Sequence, residues 1–330
     1  MAGGQERILR RRIKSVQSTK KITRAMELIA ATRVLKAQQR AVAARPYAEQ
    51  ITSVIQHLAA AGASIDHPLL RSSDDVRKIA YVVVTSDRGL AGAYNTSVIR
   101  AAEREVQDRR ADGIDYSLIL IGKKAEGYFK FRNYRIDAAF NGMSDTPTFE
   151  DARTVAGLVA EAFVNGDVDQ VQLVYTRFLS MGLQRVVVRR FMPLESVGLS
   201  EGTGPTADYE YEPEPGEILS ELLPRYVEAR LFAALLDAAA SEHANRQRAM
   251  KSATDNAEEL IVKLTRVMNR ARQDSITTEI MEIIGGAESL AQGENGPEDL
   301  LVDHIGAPEF FIHPHAPHAR HTSSNAGASS

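Results

Sequence analysis

The sequence predicts an α/β protein of mixed build: a long antiparallel coiled coil formed by the two ends of the chain, with an α/β domain inserted between them. Three observations carry this. Glu217–Ile284 runs for 68 residues with no glycine and one proline, Pro224. At a rise of 1.5 Å per residue, such a run reaches about 100 Å as helix. Gln5–Ala61 is likewise free of glycine and broken only by Pro46. Between the two, short apolar β-rich runs alternate with helical patterns, the mark of a largely parallel sheet.

The N-terminal stretch reads as a helix to about Ala44, a kink or break at Pro46, and a second helix to about Ala61, because an interior proline removes a hydrogen bond and crowds the preceding turn. Its apolar residues drift. Leu9, Ile13 and Val16 share a face, Ile22, Met26 and Ile29 form a second stripe, and Ala25, Leu28, Thr32, Leu35 and Val42 a third. A wandering stripe suits a helix that curls around another and touches several surfaces. Met1–Arg45 also carries 12 Lys/Arg against 2 Asp/Glu. Such a run is either a solvated face or a helix that passes an acidic protein surface.

Gly62–Lys78 is polar and reads as a loop. Ile79–Thr85 is a buried strand, followed by the turn Ser86-Asp-Arg-Gly-Leu-Ala-Gly92 and a helix over Tyr94–Arg110. Ser117–Gly122 is a second strand, Lys123–Phe131 a helix and Arg135–Phe140 a short third strand. Thr148–Val164 is a helix with Thr148 as its cap. Val171–Thr176 and Gln184–Phe191 form an antiparallel hairpin through Ser180–Gly182. The result is an open, Rossmann-like α/β domain over 76–195, between coiled-coil helices at 1–61 and 217–291. A Gly-, Pro- and acid-rich linker occupies 196–216. In the second long helix Met250, Ala253, Ala257, Leu260, Leu264, Val267 and Ala271 alternate at steps of three and four, a seam that a second helix must cover. The economical cover is the N-terminal helix, antiparallel. Residues 292–330 hold four prolines, end in Ser-Ser-Asn-Ala-Gly-Ala-Ser-Ser and read as a disordered tail.

Composition removes several function classes. The 330 residues carry a net charge of −3, which offers no general attraction to nucleic acid. The chain has no cysteine, so disulfides, thiolate metal sites and thiol nucleophiles are out. No apolar run approaches the roughly 18 residues of a membrane span. The basic, acid-poor N-terminus resembles a transit peptide in composition, but its helical pattern argues that it stays. Gly89-Leu-Ala-Gly92 follows the first strand, where a nucleotide-binding domain places its phosphate loop, yet neither a Gly-x-Gly-x-x-Gly nor a P-loop pattern occurs. The glycines then serve a tight turn, which Asp87 or Arg88 fixes unless they meet a partner. Five of the eight histidines lie in the tail, and His57, His67 and His243 are isolated. Glu279 and Glu282 share a helix face without forming an evident catalytic pair. These residue types point to no catalytic group, metal or cofactor.

Three separated motifs carry a family resemblance. Ile276-Thr-Thr-Glu-Ile-Met-Glu-Ile-Ile-Gly-Gly-Ala-Glu-Ser289 resembles the signature of the γ chain of F-type ATP synthases, Ile/Val-Thr-x-Glu with a later acid and Gly-Ala. Ser15–Arg33 and Thr85–Asn95 resemble that family's N-terminal helix and strand–turn motif, and Met250–Ala257 agrees. The resemblance covers residues 1–291 and implies a central-stalk rotor. Its coiled coil would enter a ring of three α and three β subunits, and its α/β domain would sit against the ε subunit and the membrane ring of c subunits. Proton flow would turn it so that it couples translocation to ATP synthesis or hydrolysis without performing bond chemistry. It would lie at the cytoplasmic face of a bacterial plasma membrane, peripherally. The resemblance places Lys20, Lys21, Met26 and Arg33 against acidic loops of β, and Arg272, Gln273, Thr277 and Glu279 against β's catch loop. Asp87 and Arg88 fall to the head domain's partner surface. The regulatory cysteines of chloroplast relatives are missing, and the 39 residues past Ala291 exceed the usual family length; we expect them to be a flexible, dispensable extension. The competing readings are a static coiled-coil scaffold and a nucleotide-binding α/β protein.

Overall fold

The computed structural model describes residues 2–60, 67–71, 75–194 and 212–293. They divide into two units, one running from Gly3 to Arg270 and one that begins at Ala271. The proposed linker, apart from 212–216, and the tail from 294 onward lie outside the described residues.

The N-terminal helix α1 spans Ala2–Ala60 without interruption, so of the kink or break expected at Pro46 the break is corrected. Pro46 itself is exposed, and the buried positions continue past it through Ile51, Ile55 and Leu58 into the core beneath the sheet. Packing on both sides of the proline overrides its local cost. The C-terminal helix α5 starts at Pro215, two residues before the expected Glu217, and continues through Pro224, which is also exposed.

The inserted domain follows the expected alternation. β1 is Lys78–Val84, α2 Tyr94–Ala111, β2 Asp115–Ile121, α3 Lys123–Phe131 and β3 Ala138–Phe140. α4 spans Phe149–Val164, and β4 (Gln170–Phe178) and β5 (Gln184–Met192) complete the sheet. Strand order is β3-β2-β1-β4-β5, with only β4–β5 antiparallel. The third strand is shorter than Arg135–Phe140 because Arg135 and Asp137 turn their side chains to Asp115 and Ser117 on β2. At α4 the cap is as read: Thr148 Oγ1 accepts from the Asp151 amide at 3.2 Å, and Asp151 Oδ2 accepts from the Thr148 amide at 2.8 Å.

β1 is apolar on both faces because both are covered. Ala80, Val82 and Val84 join a core with α4, α5 and the end of α1, whereas Ile79, Tyr81 and Val83 join a core with α2 and α3. Two long helices thus share the sheet's lower face, and α1 and α5 then run together away from the sheet.

The coiled coil is antiparallel, since Thr23 meets Thr254 and Lys20 meets Glu258. Its seam corrects the sequence reading on α5. On α5, Met250, Thr254, Ala257 and Leu264 are buried, whereas Leu260 is 39% and Val267 45% exposed. On α1 the buried positions are Ile13, Thr23, Glu27, Ala30, Val34 and Ala37. Ile22, Leu28, Ile29, Leu35 and Val42, whose drifting stripes suit a helix that touches several surfaces, are more than half exposed. The seam keeps the heptad step but takes polar Thr23, Glu27 and Thr254 in place of available apolar residues. Thr254 Oγ1 donates to Thr23 Oγ1 at 2.8 Å and so satisfies the pair within the interface.

Candidate functional site

Where the head domain meets the coil, the end of β1 opens into the Ser86–Gly92 turn. The Ser86 amide and hydroxyl both bond Asn95 Oδ1, at 2.9 and 3.0 Å. Asp87 reaches across to the neighbouring strand ends. Its Oδ1 accepts from the Lys123 amide at 3.2 Å, and its Oδ2 accepts from the Gly142 and Ser144 amides and the Ser144 hydroxyl. Burial acts to raise its pKa, but these four donors outweigh that and hold the carboxyl below its ordinary value. Lys123 is the first residue of α3, so Asp87 also places its negative charge at that helix's N-terminus and ties the β1 turn to it. Arg88 is exposed beside it.

A buried polar junction ties this turn to both helices. Arg33 of α1 pairs with Asp145 in the loop before α4. His243 of α5 places Nε2 3.2 Å from the Asp145 carbonyl oxygen, and Arg246 donates from Nη2 to Glu242 Oε1 at 2.7 Å and to the Gly89 carbonyl at 3.3 Å. Glu242 is 1% exposed. Burial pushes its carboxyl up to about 7, although Arg246 opposes the shift. Burial likewise lowers the pKa of His243, against the pull of Asp145. Asp145, Glu242 and His243 bring donor atoms within 4.8 Å of one another. The charge balance does not suit a cation, because Arg33 and Arg246 already neutralise the two carboxylates. The Nη1 of Arg246, 3.4 Å from His243 Nδ1, favours the tautomer whose Nε2–H donates to the Asp145 carbonyl. The junction is a strut. Sequence reading missed it, treating His243 as isolated; the signal was the Glu242–Arg246 pair at i,i+4 inside the apolar face of α5.

Beyond the strut, the exposed surface of the coil is both basic and apolar. Of the twelve basic residues in Met1–Arg45, Lys20, Arg33 and Arg40 are partly buried and engaged within the chain, by Glu258, by Asp145 and by the Pro147 carbonyl. The other nine are exposed. Lys21 is among them, and Met26 is half-buried. Interleaved with these charges lie Ile22, Leu28, Ile29 and Leu35, members of the stripes that drift around the helix.

Within α5 past Ala271, Arg272, Gln273, Thr277 and Glu279 are all exposed, and Ser275 Oγ lies 3.4 Å from Glu279 Oε1. Ile276, Ile280, Met281, Ile283 and Ile284 are between 46% and 72% exposed. Large apolar side chains in that density mark a surface that meets a partner.

Fold and surfaces together define a coiled-coil protein with an α/β head and long exposed contact faces. The family model described as "ATP synthase" matches residues 5–290. The ATP synthase gamma chain of Frankia casuarinae is 50% identical over 296 residues, covering 88% of this chain and 99% of the relative. That of Mycolicibacterium smegmatis is 48% identical over 300 residues, covering 86% and 97%. Among solved structures, a chain of the Euglena gracilis mitochondrial ATP synthase aligns with a TM-score of 0.59 at 19% identity, over 92% of this chain and all of that one. A chain of the Tetrahymena thermophila central stalk/c-ring structure aligns with a TM-score of 0.54 at 23% identity, over 70% and 99%. The chain belongs to the ATP synthase family, among its gamma chains, and its role is that of a rotor subunit in the F1 sector.

Proposed function

We propose that this chain is the non-catalytic shaft of its complex. It turns inside a ring of α and β subunits, carried by a c-ring and accompanied by an ε subunit, and lies peripherally at the cytoplasmic face of the membrane. The observation that carries the reading is the outer face of the coil: apolar side chains stand outward at Ile22, Leu28, Ile29 and Leu35 while Thr23, Glu27 and Thr254 take places in the seam. A static two-helix bundle gains nothing from that arrangement, whereas a shaft within a sleeve needs an outer face that interacts. Among the described residues no helix is long and apolar enough to cross a membrane.

Rotation shifts a catalytic site only as far as the shaft binds its conformers unequally. The outward face supplies such inequality, being basic and apolar on α1 and apolar with Arg272, Gln273, Thr277 and Glu279 near the end of α5. Lys21 and Met26 remain contact candidates for β. Lys20 and Arg33 also brace the chain internally, so their loss would act on the shaft as well as on its partner. In the head, Arg88 is the residue available to a partner, and Asp87 is committed to holding the turn.

The chain's lack of cysteine makes a cross-linking test clean. With Glu279→Cys and one cysteine introduced in the β catch loop, oxidation should abolish ATP hydrolysis by the assembled complex and reduction should restore it. Hydrolysis that continues unchanged through complete cross-linking would mean a static scaffold.

A further inference from the structure

Strand alternation and one crossing of the long helices create a site that the rotor role does not use. On the sheet face beneath β4 and β5, Leu173 lies opposite Arg189, and Tyr175 and Arg177 follow at two-residue steps. Arg177, Arg189 and Arg190 line a cleft of about 250 Å³ between the sheet edge, α1 and α5. Among the described residues none of the three has a carboxylate in salt-bridge range. Arg230 of α5 enters the same cleft with its guanidinium stacked 5.7 Å from the Phe191 ring and 5.5 Å from the Tyr226 ring, which fixes its pose. One carboxylate, Asp237, lines the cleft. Burial pushes its pKa up to about 6, with Arg177 and Arg45 opposing, so an anion on the arginines would favour its neutral form.

A second, apolar cleft of about 330 Å³ abuts the first. The two share Ala48 of α1 and Ala229 and Ala233 of α5 in their lining, so only short side chains stand between them. The wall of the apolar cleft is aromatic: Phe149 packs edge-on to Tyr47 at 6.4 Å and to Phe232 at 5.6 Å. A cationic cleft bordering an apolar one is complementary to one kind of ligand.

We propose that the two adjoining clefts together bind a single-chain anionic amphiphile of the fatty-acid class, its head on Arg177 and Arg189 and its chain past the shared alanines into the apolar cleft. The charge of the cationic cleft selects the sign of the head, and the apolar cleft selects an unbranched apolar tail. The site stands independently of the rotor reading.

The test is calorimetric titration of the full-length chain with decanoate below its micellar concentration, beside inorganic phosphate and decyltrimethylammonium. Decanoate should bind saturably and at least about tenfold more tightly than either control, a difference of about 1.4 kcal/mol. The double variant Arg177→Ala/Arg189→Ala should weaken decanoate about tenfold or more. Ala233→Phe, at an exposed position, should fill the apolar cleft and abolish decanoate binding with the far-ultraviolet spectrum unchanged. Equal binding of the cationic amphiphile, equal binding of phosphate, decanoate affinity unmoved by both variants, or no saturable binding at low-millimolar concentration would each overturn the proposal.

Discussion

The head and the coil solve opposite problems. In the head, Tyr81, Leu118, Leu120, Phe129 and Val83 are essentially inaccessible, and apolar residues fill both sides of β1. In the coil the seam is narrow and partly polar, and many bulky aliphatic side chains, Ile22, Leu28, Ile29 and Leu35 among them, face outward. The head therefore draws its stability from its own interior, whereas the coil keeps much of its apolar surface for contact outside the chain. Buried apolar area governs what a substitution costs in folding energy, and exposed apolar area governs what it costs in association.

The largest effect should come from the head. Phe129→Ala empties a fully buried ring site and should destabilise the head by about 3–5 kcal/mol. The chain has no tryptophan, so near-ultraviolet dichroism of the head's tyrosines during urea unfolding is the appropriate probe. A loss below about 1 kcal/mol would mean that the head's interior is not what holds it.

An intermediate effect belongs to the strut between the two regions. Glu242 has a folded pKa raised from 4.5 to about 7 by burial. A raised carboxyl binds its proton more tightly in the folded state, so its stabilising contribution is present below about pH 4.5 and declines as pH rises through about 7. The ceiling is about 3 kcal/mol, at 1.36 kcal/mol per unit. His243, held neutral by burial, acts with the opposite sign as pH rises toward 6.5, so the informative quantity is the difference between wild type and Glu242→Gln. Between pH 5 and 8 the wild type should lose stability relative to the variant in urea titrations; a pH-independent difference would show that Glu242 does not titrate there.

The smallest effect on folding should come from the outer face of the coil. Leu35 is 60% exposed, and Leu35→Ser should alter stability by no more than about 0.5 kcal/mol. The same variant should lower coupled ATP synthesis in the assembled complex. A stability loss of several kcal/mol would collapse the contrast between the two regions.

Much of the fold was legible in the sequence because local signals agreed with the tertiary outcome. α3 lies at Lys123–Phe131 as read, and Thr148 caps α4 because a threonine three residues before an aspartate satisfies two amides at once. The hairpin of β4 and β5 followed from two β-rich runs around Ser180–Gly182. The errors fall where local and tertiary preferences part. Pro46 signals a break that packing on both sides prevents. Leu260 and Val267 look like seam residues by hydropathy, but the helix turns Thr254 inward to meet Thr23. Hydrophobic periodicity identifies apolar residues without saying whether the surface that covers them belongs to the same chain.

By itself, the sequence determined two glycine-free helices, the sheet between them, and the motifs of Ser15–Arg33, Thr85–Asn95 and Ile276–Ser289 that mark the family. Tertiary structure alone decided which faces of those helices look inward. It also brought Asp145 to Arg33 and His243, which stand 112 and 98 residues away along the chain. The physical reason is one of range. Helix and strand formation depend on neighbours within a few residues, whereas facing and charge pairing depend on contacts that exist only once distant segments have packed.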